Sequence, residues 1–315
     1  MSTESRGVLR RNIVMGAGAA ALWPLGSALA QGGGAPAGPP AGGPPAGPGG
    51  RPPGPPPTPE QIAAQLPLKT TGLEHISFWV PDVAEAGAFY GKVFNPALHK
   101  EKDPPLRYYV PLMVGEPKGP LNYIAIGAAN GRPVQIDHYC VLAEGYNGAA
   151  MAERLKPEGV RAAVRGVYID DDGLQLQVLG VPAGLAPTTE PAGRISPDAP
   201  IFEPIGLDNV VVQVSDLDRS LAYYRKFLDG QVTRDGDRVW IAAAGTRLGF
   251  EKVASGSKPV IASSCVRVRP FDRAAATRKL QALGAQITPA AKVDGDVLRF
   301  RSPMGLVMDI KAVKS

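Results

Sequence analysis

Histidine is scarce in this 315-residue chain, which has only His75, His99 and His138. An imidazole can ligate a metal or carry a proton near neutral pH, so each histidine is a candidate for chemistry. His75 and His138 sit in the strand-like segments LEHISFWVPD and IDHYCV, whereas His99 falls in the turn-like stretch Asn95–Lys100, where solvation is the expected role. Glu74 and Asp137 immediately precede two of the histidines, and strand alternation is expected to turn both acids to the opposite sheet face. Trp79, Tyr108, Tyr109, Tyr123 and Tyr139 cluster in the same part of the chain. Such rings suit a planar ligand, with Trp79, Tyr108 and Tyr139 as substrate contacts and the hydroxyls of Tyr123 and Tyr109 for orientation or proton transfer. Core packing is the alternative for each ring. Cys140 and Cys265 lie in apolar stretches and read as buried thiols. No G-x-S-x-G elbow, G-x-x-x-x-G-K loop or C-x-x-C pair is present, which removes serine hydrolase, P-loop and thioredoxin readings.

The elements that carry these residues come from an internal repeat. Gly72-Leu73-Glu74-His75-Ile76-Ser77-Phe78-Trp79-Val80-Pro81-Asp82 is echoed by Gly206-Leu207-Asp208-Asn209-Val210-Val211-Val212-Gln213-Val214-Ser215-Asp216. Each copy predicts a strand, an Asp N-cap and a helix of about three turns. Later, His138-Tyr139-Cys140-Val141 matches Ser263-Ser264-Cys265-Val266, each followed by a helix ending at Gly159 or Gly284. The final echo sets Asp172–Val178 against Met304–Ile310, a turn glycine followed by an alternating strand. These offsets predict one domain over residues 68–182 and a second over 204–313, joined by a linker at 183–203.

Residues 1–30 read as a secretion signal. Arg6, Arg10 and Arg11 precede an apolar run from Ile13 to Leu25, and Ala28-Leu29-Ala30 offers a cleavage site. Arg10-Arg11-Asn12-Ile13-Val14 resembles the twin-arginine export signature, with an ordinary secretory signal as the alternative. A periplasmic or secreted location follows as an expectation, without a membrane span in the mature protein, because the apolar run falls short of the roughly 20 residues a bilayer needs. Residues 31–67 are rich in Pro and Gly and are expected to form a disordered linker. Without Arg6, Arg10, Arg11 and Glu4 the net charge falls from +5 to about +3, with no basic run, so nucleic acid is not an expected partner. A small molecule is, and a homodimer is left open.

The strand LEHISFWVPD, the helix AFYGKVF, IDHYCV and the terminal DDGLQLQV together resemble the vicinal-oxygen-chelate superfamily of glyoxalases, bleomycin-resistance proteins and extradiol dioxygenases. The resemblance covers residues 70–313. It implies an α+β fold of tandem domains, each built from two paired βαβββ modules forming a curved mixed sheet with a cleft. It also implies a divalent ion, Fe(II) or Mn(II), at positions matched here by His75, His138 and Gln177. The family's third ligand is usually Glu, so Gln177 departs from the pattern by being neutral. In the second domain Asn209 and Ser263 stand where the histidines would be, and only Asp309 keeps an acid, so that site is expected to be degenerate; Glu251 is expected to be a solvated charge at a strand end. The implied function is a metal-dependent dioxygenase or glyoxalase-like isomerase or lyase acting on a small oxygen-chelating substrate. A metal-free binding protein of the bleomycin-resistance type is the alternative.

Overall fold

The computed structural model describes residues 55–115, 119–163, 166–181, 184–186 and 188–313. The expected export signal lies outside them, as does the start of the expected linker. The end of that linker stretch is folded: Pro59–Ala63 form a short helix (α1), with Thr58 and Gln61 closing a capping box.

In the first half, β-branched and aromatic residues alternate along Thr70–Val80 (β1), which is followed by a helix at Val83–Val93 (α2) capped by the Asp82 carboxylate. Ala97–Glu101 (β2), Arg107–Gly115 (β3) and Gly119–Ala128 (β4) form a meander. Gln135–Ala143 (β5) leads into Gly148–Leu155 (α3), whose last turn ends at Gly159 with φ +67°. Arg161–Ala162 (β6), Val167–Ile169 (β7) and Gln175–Gly180 (β8) complete this half. Thr189–Arg194 (β9) lies within the stretch expected to be a linker, yet it pairs antiparallel with β2 and widens the sheet.

The second half runs through Pro204–Val214 (β10), Leu217–Tyr224 (α4), Val232–Asp235 (β11), Arg238–Ala243 (β12), Thr246–Lys252 (β13), Val260–Val268 (β14), Arg273–Ala282 (α5), Gln286–Ile287 (β15), Leu298–Arg301 (β16) and Val307–Ala312 (β17). The pairing of the first half recurs. β1 is parallel to β4 and antiparallel to β5, which is parallel to β8; β10 stands in the same relations to β13, β14 and β17. Residue for residue, His75 opposes Cys140 and Cys140 opposes Gln177, while Asn209 opposes Cys265 and Cys265 opposes Asp309.

Among the described residues, seventeen strands belong to one hydrogen-bonded mixed sheet, with β5 and β14 meeting at Ile136 and Ile261. Two reciprocal bonds tie the halves: the Leu73 amide donates to Thr246 Oγ1 at 3.1 Å, and the Leu207 amide donates to Asn122 Oδ1 at 3.1 Å. Gly206 has φ +124° and passes so close that a Cβ there would stand 2.6 Å from Asn122 Oδ1. The apolar core lies between one sheet face and the helices, and includes Ile76, Phe78, Tyr90, Ile126, Tyr139 and Val141 with their second-half counterparts Val210, Val212, Tyr224, Phe250 and Val266. The opposite face of the first half carries the histidines. Among the described residues no helix is long and apolar enough to cross a membrane.

Candidate metal centre

Two irregularities in the β1–β5 pairing shape the centre. The register slips between Leu73 and His75 on β1, and again where Ser77 opposes His138 while Phe78 opposes Ile136. The first slip leaves Glu74 as an extra residue on β1; the second does the same for Asp137 on β5. Strict alternation, the expectation from sequence, would send both acids to the far face; the bulges instead keep each beside its histidine. Glu74 Oε2 accepts from His75 Nδ1 at 2.7 Å, and Asp137 Oδ2 accepts from His138 Nδ1 at 2.8 Å. Each bulge folds its acid alongside the next residue's ring.

The consequence is directional. A carboxylate at Nδ1 requires an N–H there, which leaves the Nε2 of each neutral ring as a bare lone pair. These two nitrogens face one another at 3.2 Å. Two lone pairs at that distance repel unless a cation lies between them. Burial pushes the His75 pKa below its ordinary value of 6.5, with the Glu74 carboxylate pulling the other way and the charges of His138 and Arg107 adding to the fall. The His75 ring therefore resists a second proton, and a metal ion about 2.0–2.1 Å from each nitrogen is compatible with the spacing.

Gln177 is buried on β8 directly opposite Cys140, on the face that carries the histidines. Its neighbour Gln175 donates to Asp137 Oδ1 at 3.2 Å and so steadies the His138 dyad. Glu74 is fully buried, and its Oε1 has no hydrogen-bond partner among the described residues. The Cys140 thiol lies beside it, with donor atoms of Glu74, His75 and Cys140 all within 4.8 Å of one another. Burial and then the Glu74 charge hold that thiol's pKa well above its usual value, so it is a protonated neighbour rather than a thiolate. Cys140 is the site residue that sequence reasoning passed over, although its i+2 spacing from His138 on a strand carries the signal.

The aromatic candidates divide by face. Tyr123 stacks on His75 with centroids 4.7 Å apart and planes 14° from parallel, and its hydroxyl donates to Glu74 Oε2 at 3.3 Å. Burial and the Glu74 charge raise its pKa, so the phenol stays protonated and braces Glu74. Tyr109 packs edge-on to Tyr123 and donates a short hydrogen bond to Glu101, and Leu185 packs against the cluster these rings form with Ala125. Trp79 shares this face by strand alternation, and Arg132 lies 3.5 Å above its ring. Tyr108 and Tyr139 do not join them. Tyr108 packs against Gly87 of α2, and Tyr139 is fully buried in the core on the face opposite His138. His99 is half-buried opposite Tyr109 on β2 rather than freely solvated, and burial lowers its pKa.

In the second half the equivalent face is filled with ion pairs. Arg299 donates to both Asp309 oxygens at 2.8 and 2.7 Å and to Asp294 at 2.8 Å. Arg238 binds Glu251 at 2.8 Å and also Asp294, so Glu251 is a paired charge, not the solvated one expected. Asn209 donates to Asp208 at 2.8 Å, with an amide where the Glu74–His75 dyad has a ring, and Lys311 pairs with the same carboxylate. The Arg299 guanidinium neutralises the buried Asp309 carboxylate. A surface hollow of about 550 Å³ beside Lys69 and Asp229 holds neither histidine nor cysteine and lies apart from this chemistry.

No sequence-family profile matches the chain, and no curated protein is significantly similar to it. Solved structures are. The Mn(II)-bound glyoxalase from Novosphingobium aromaticivorans aligns with a TM-score of 0.57 at 14% identity, over 78% of this chain and 83% of its own. Homoprotocatechuate 2,3-dioxygenase from Brevibacterium fuscum, in complex with 3,4-dihydroxyphenylacetate, gives 0.58 at 13% identity over 80% and 83%. The 2,2',3-trihydroxybiphenyl 1,2-dioxygenase from Sphingomonas wittichii strain RW1 gives 0.55 at 14% over 76% and 90%. At these identities the likeness is one of fold: the chain shares its fold with these glyoxalase and dioxygenase structures.

Proposed function

We propose that this chain is a metal-dependent enzyme of the glyoxalase and dioxygenase type, acting on a small oxygen-chelating substrate through one divalent ion, Fe(II) or Mn(II), held by His75, His138 and Gln177. The carrying observation is the pair of Nε2 atoms 3.2 Å apart, each ring oriented by its own carboxylate. The neutral Gln177 costs the site a negative ligand. Glu74 and Asp137 offset that loss by pressing negative charge on the rings through Nδ1, which raises imidazole basicity. When bound, the ion would act as a Lewis acid towards two adjacent substrate oxygens, a role shared by ring cleavage and by glyoxalase-like isomerisation or lyase chemistry. Around it, Tyr123 would hold Glu74 and the His75 ring in place, while Tyr109 and Trp79 would flank the substrate. Metal analysis of the full chain should find one equivalent of transition metal, lost in His75→Ala and in His138→Ala; a wild-type chain that takes up none would reject the assignment.

Gln177 also motivates a second reading, a metal-free binding protein of the bleomycin-resistance type. Gln177→Glu separates the two: an enzyme centre should bind metal more tightly with the added charge, and a pure binding face should be indifferent.

The tandem division into 68–182 and 204–313 is part of the same reading, supported by the recurring register of His75 and Asn209. So is export, supported by Arg10-Arg11 ahead of the apolar run. Replacing both arginines by lysine should retain the protein in the cytoplasm if the twin-arginine route carries it.

A further inference from the structure

Strand pairing arranges the histidine face in cross-strand rows. One row is His75, Tyr123 and Pro111; the next is Ser77, Ala125 and Tyr109; the third is Trp79, Gly127 and Arg107. Arg107 therefore shares the face with the metal centre, four residues along the strands from it. Its guanidinium lies flat over Gly127, where a Cβ would stand 3.3 Å from Nε, so the missing side chain makes its bed. Among the described residues Arg107 enters no ion pair. The nearest acid along the ladder, Glu101, is held by the Tyr109 hydroxyl. Contrast the second half, where Arg238 and Arg299 are each clamped by two carboxylates. A half-buried guanidinium that interacts with the Tyr109 hydroxyl but meets no carboxylate in an ion pair is suited to a planar anion, which it can engage through parallel N–H donors.

We propose that Arg107 is a specificity-determining residue that receives a carboxylate of the substrate, so that the site selects anionic oxygen-chelating compounds over neutral ones. This rests on the metal-centre reading above for the chelating end of the substrate, and on Arg107 alone for the anionic end. The test is calorimetric titration of the full chain loaded with Mn(II), without oxygen, using catechol and 3,4-dihydroxybenzoate as probes. Wild type should bind the carboxylated probe about tenfold or more tightly, the yield of a charge-assisted hydrogen bond. Arg107→Gln should erase that preference and leave catechol binding unchanged. Should Arg107→Gln not fold, Arg107→Met, which keeps an apolar stem over Gly127, should behave the same way. Equal affinities in wild type, or a preference that survives in the variants, would overturn the proposal while leaving the metal centre standing. If the chain takes up no metal, the reading above fails and benzoate on the metal-free chain decides this one: binding lost in Arg107→Gln supports it, and binding that is absent or unaffected overturns it.

Discussion

His75 and His138 owe their alignment to the residues just before them. A lone imidazole chooses its tautomer freely, whereas one with a carboxylate 2.7–2.8 Å from Nδ1 presents Nε2 as a fixed acceptor. Glu74→Gln keeps an oxygen for the Nδ1 proton but removes its charge, and should weaken metal affinity by about 10- to 100-fold with little change in folding. A chelator competition assay reads this directly, and unchanged affinity would remove Glu74 from the centre. Protons compete with the ion for the His75 Nε2 lone pair, and because burial lowers that pKa the affinity should hold above pH 6.5 and fall only on acidification below it. The sign for stability agrees. The folded-state pKa of His75 is depressed, so the unfolded chain binds the extra proton and the metal-free protein should lose stability as pH drops below 6.5. Denaturant midpoints across that range would show it.

At the scale of elements, the bulges do what regular strands cannot. By adding one residue to β1 at Glu74 and one to β5 at Asp137, they put consecutive side chains beside each other on one face without disturbing the apolar face behind. Where the two halves meet, Gly206 must pass Asn122 with a backbone that residues with a Cβ rarely adopt. Gly206→Ala should cost about 1–3 kcal/mol in urea denaturation, from the φ strain and the clash together. Stability equal to wild type would mean that this junction is looser than its 3.1 Å hydrogen bond indicates.

Across the whole molecule, one register serves two different ends. In the first half, the positions that oppose one another across β1, β5 and β8 carry histidine, cysteine and glutamine; in the second they carry asparagine, cysteine and an aspartate neutralised by Arg299. Arg299→Leu should destabilise the chain by about 3–5 kcal/mol, because it strands the buried Asp309 carboxylate and leaves Asp294 to Arg238 alone. The number of metal ions bound per chain should not rise, since the histidines are missing there. A second equivalent of metal in that variant would show that the arginine alone suppresses a latent site.

Alternation and repetition made much of this legible in advance. The caps at Asp82 and Asp216, the glycine stops at Gly159 and Gly284, and the echo of His75 in Asn209 are local or periodic signals, written in residue type and spacing. Tertiary structure decided the rest. Whether Glu74 faces its histidine depends on one extra residue in a ladder, and the slip that places it arises from pairing with a strand some sixty residues away. The core position of Tyr139, the strand at Thr189–Arg194 inside an expected linker, and the claim of Arg299 on Asp309 likewise depend on partners distant in the chain. A sequence states what each residue can do; which partners reach it is set by how the sheet closes.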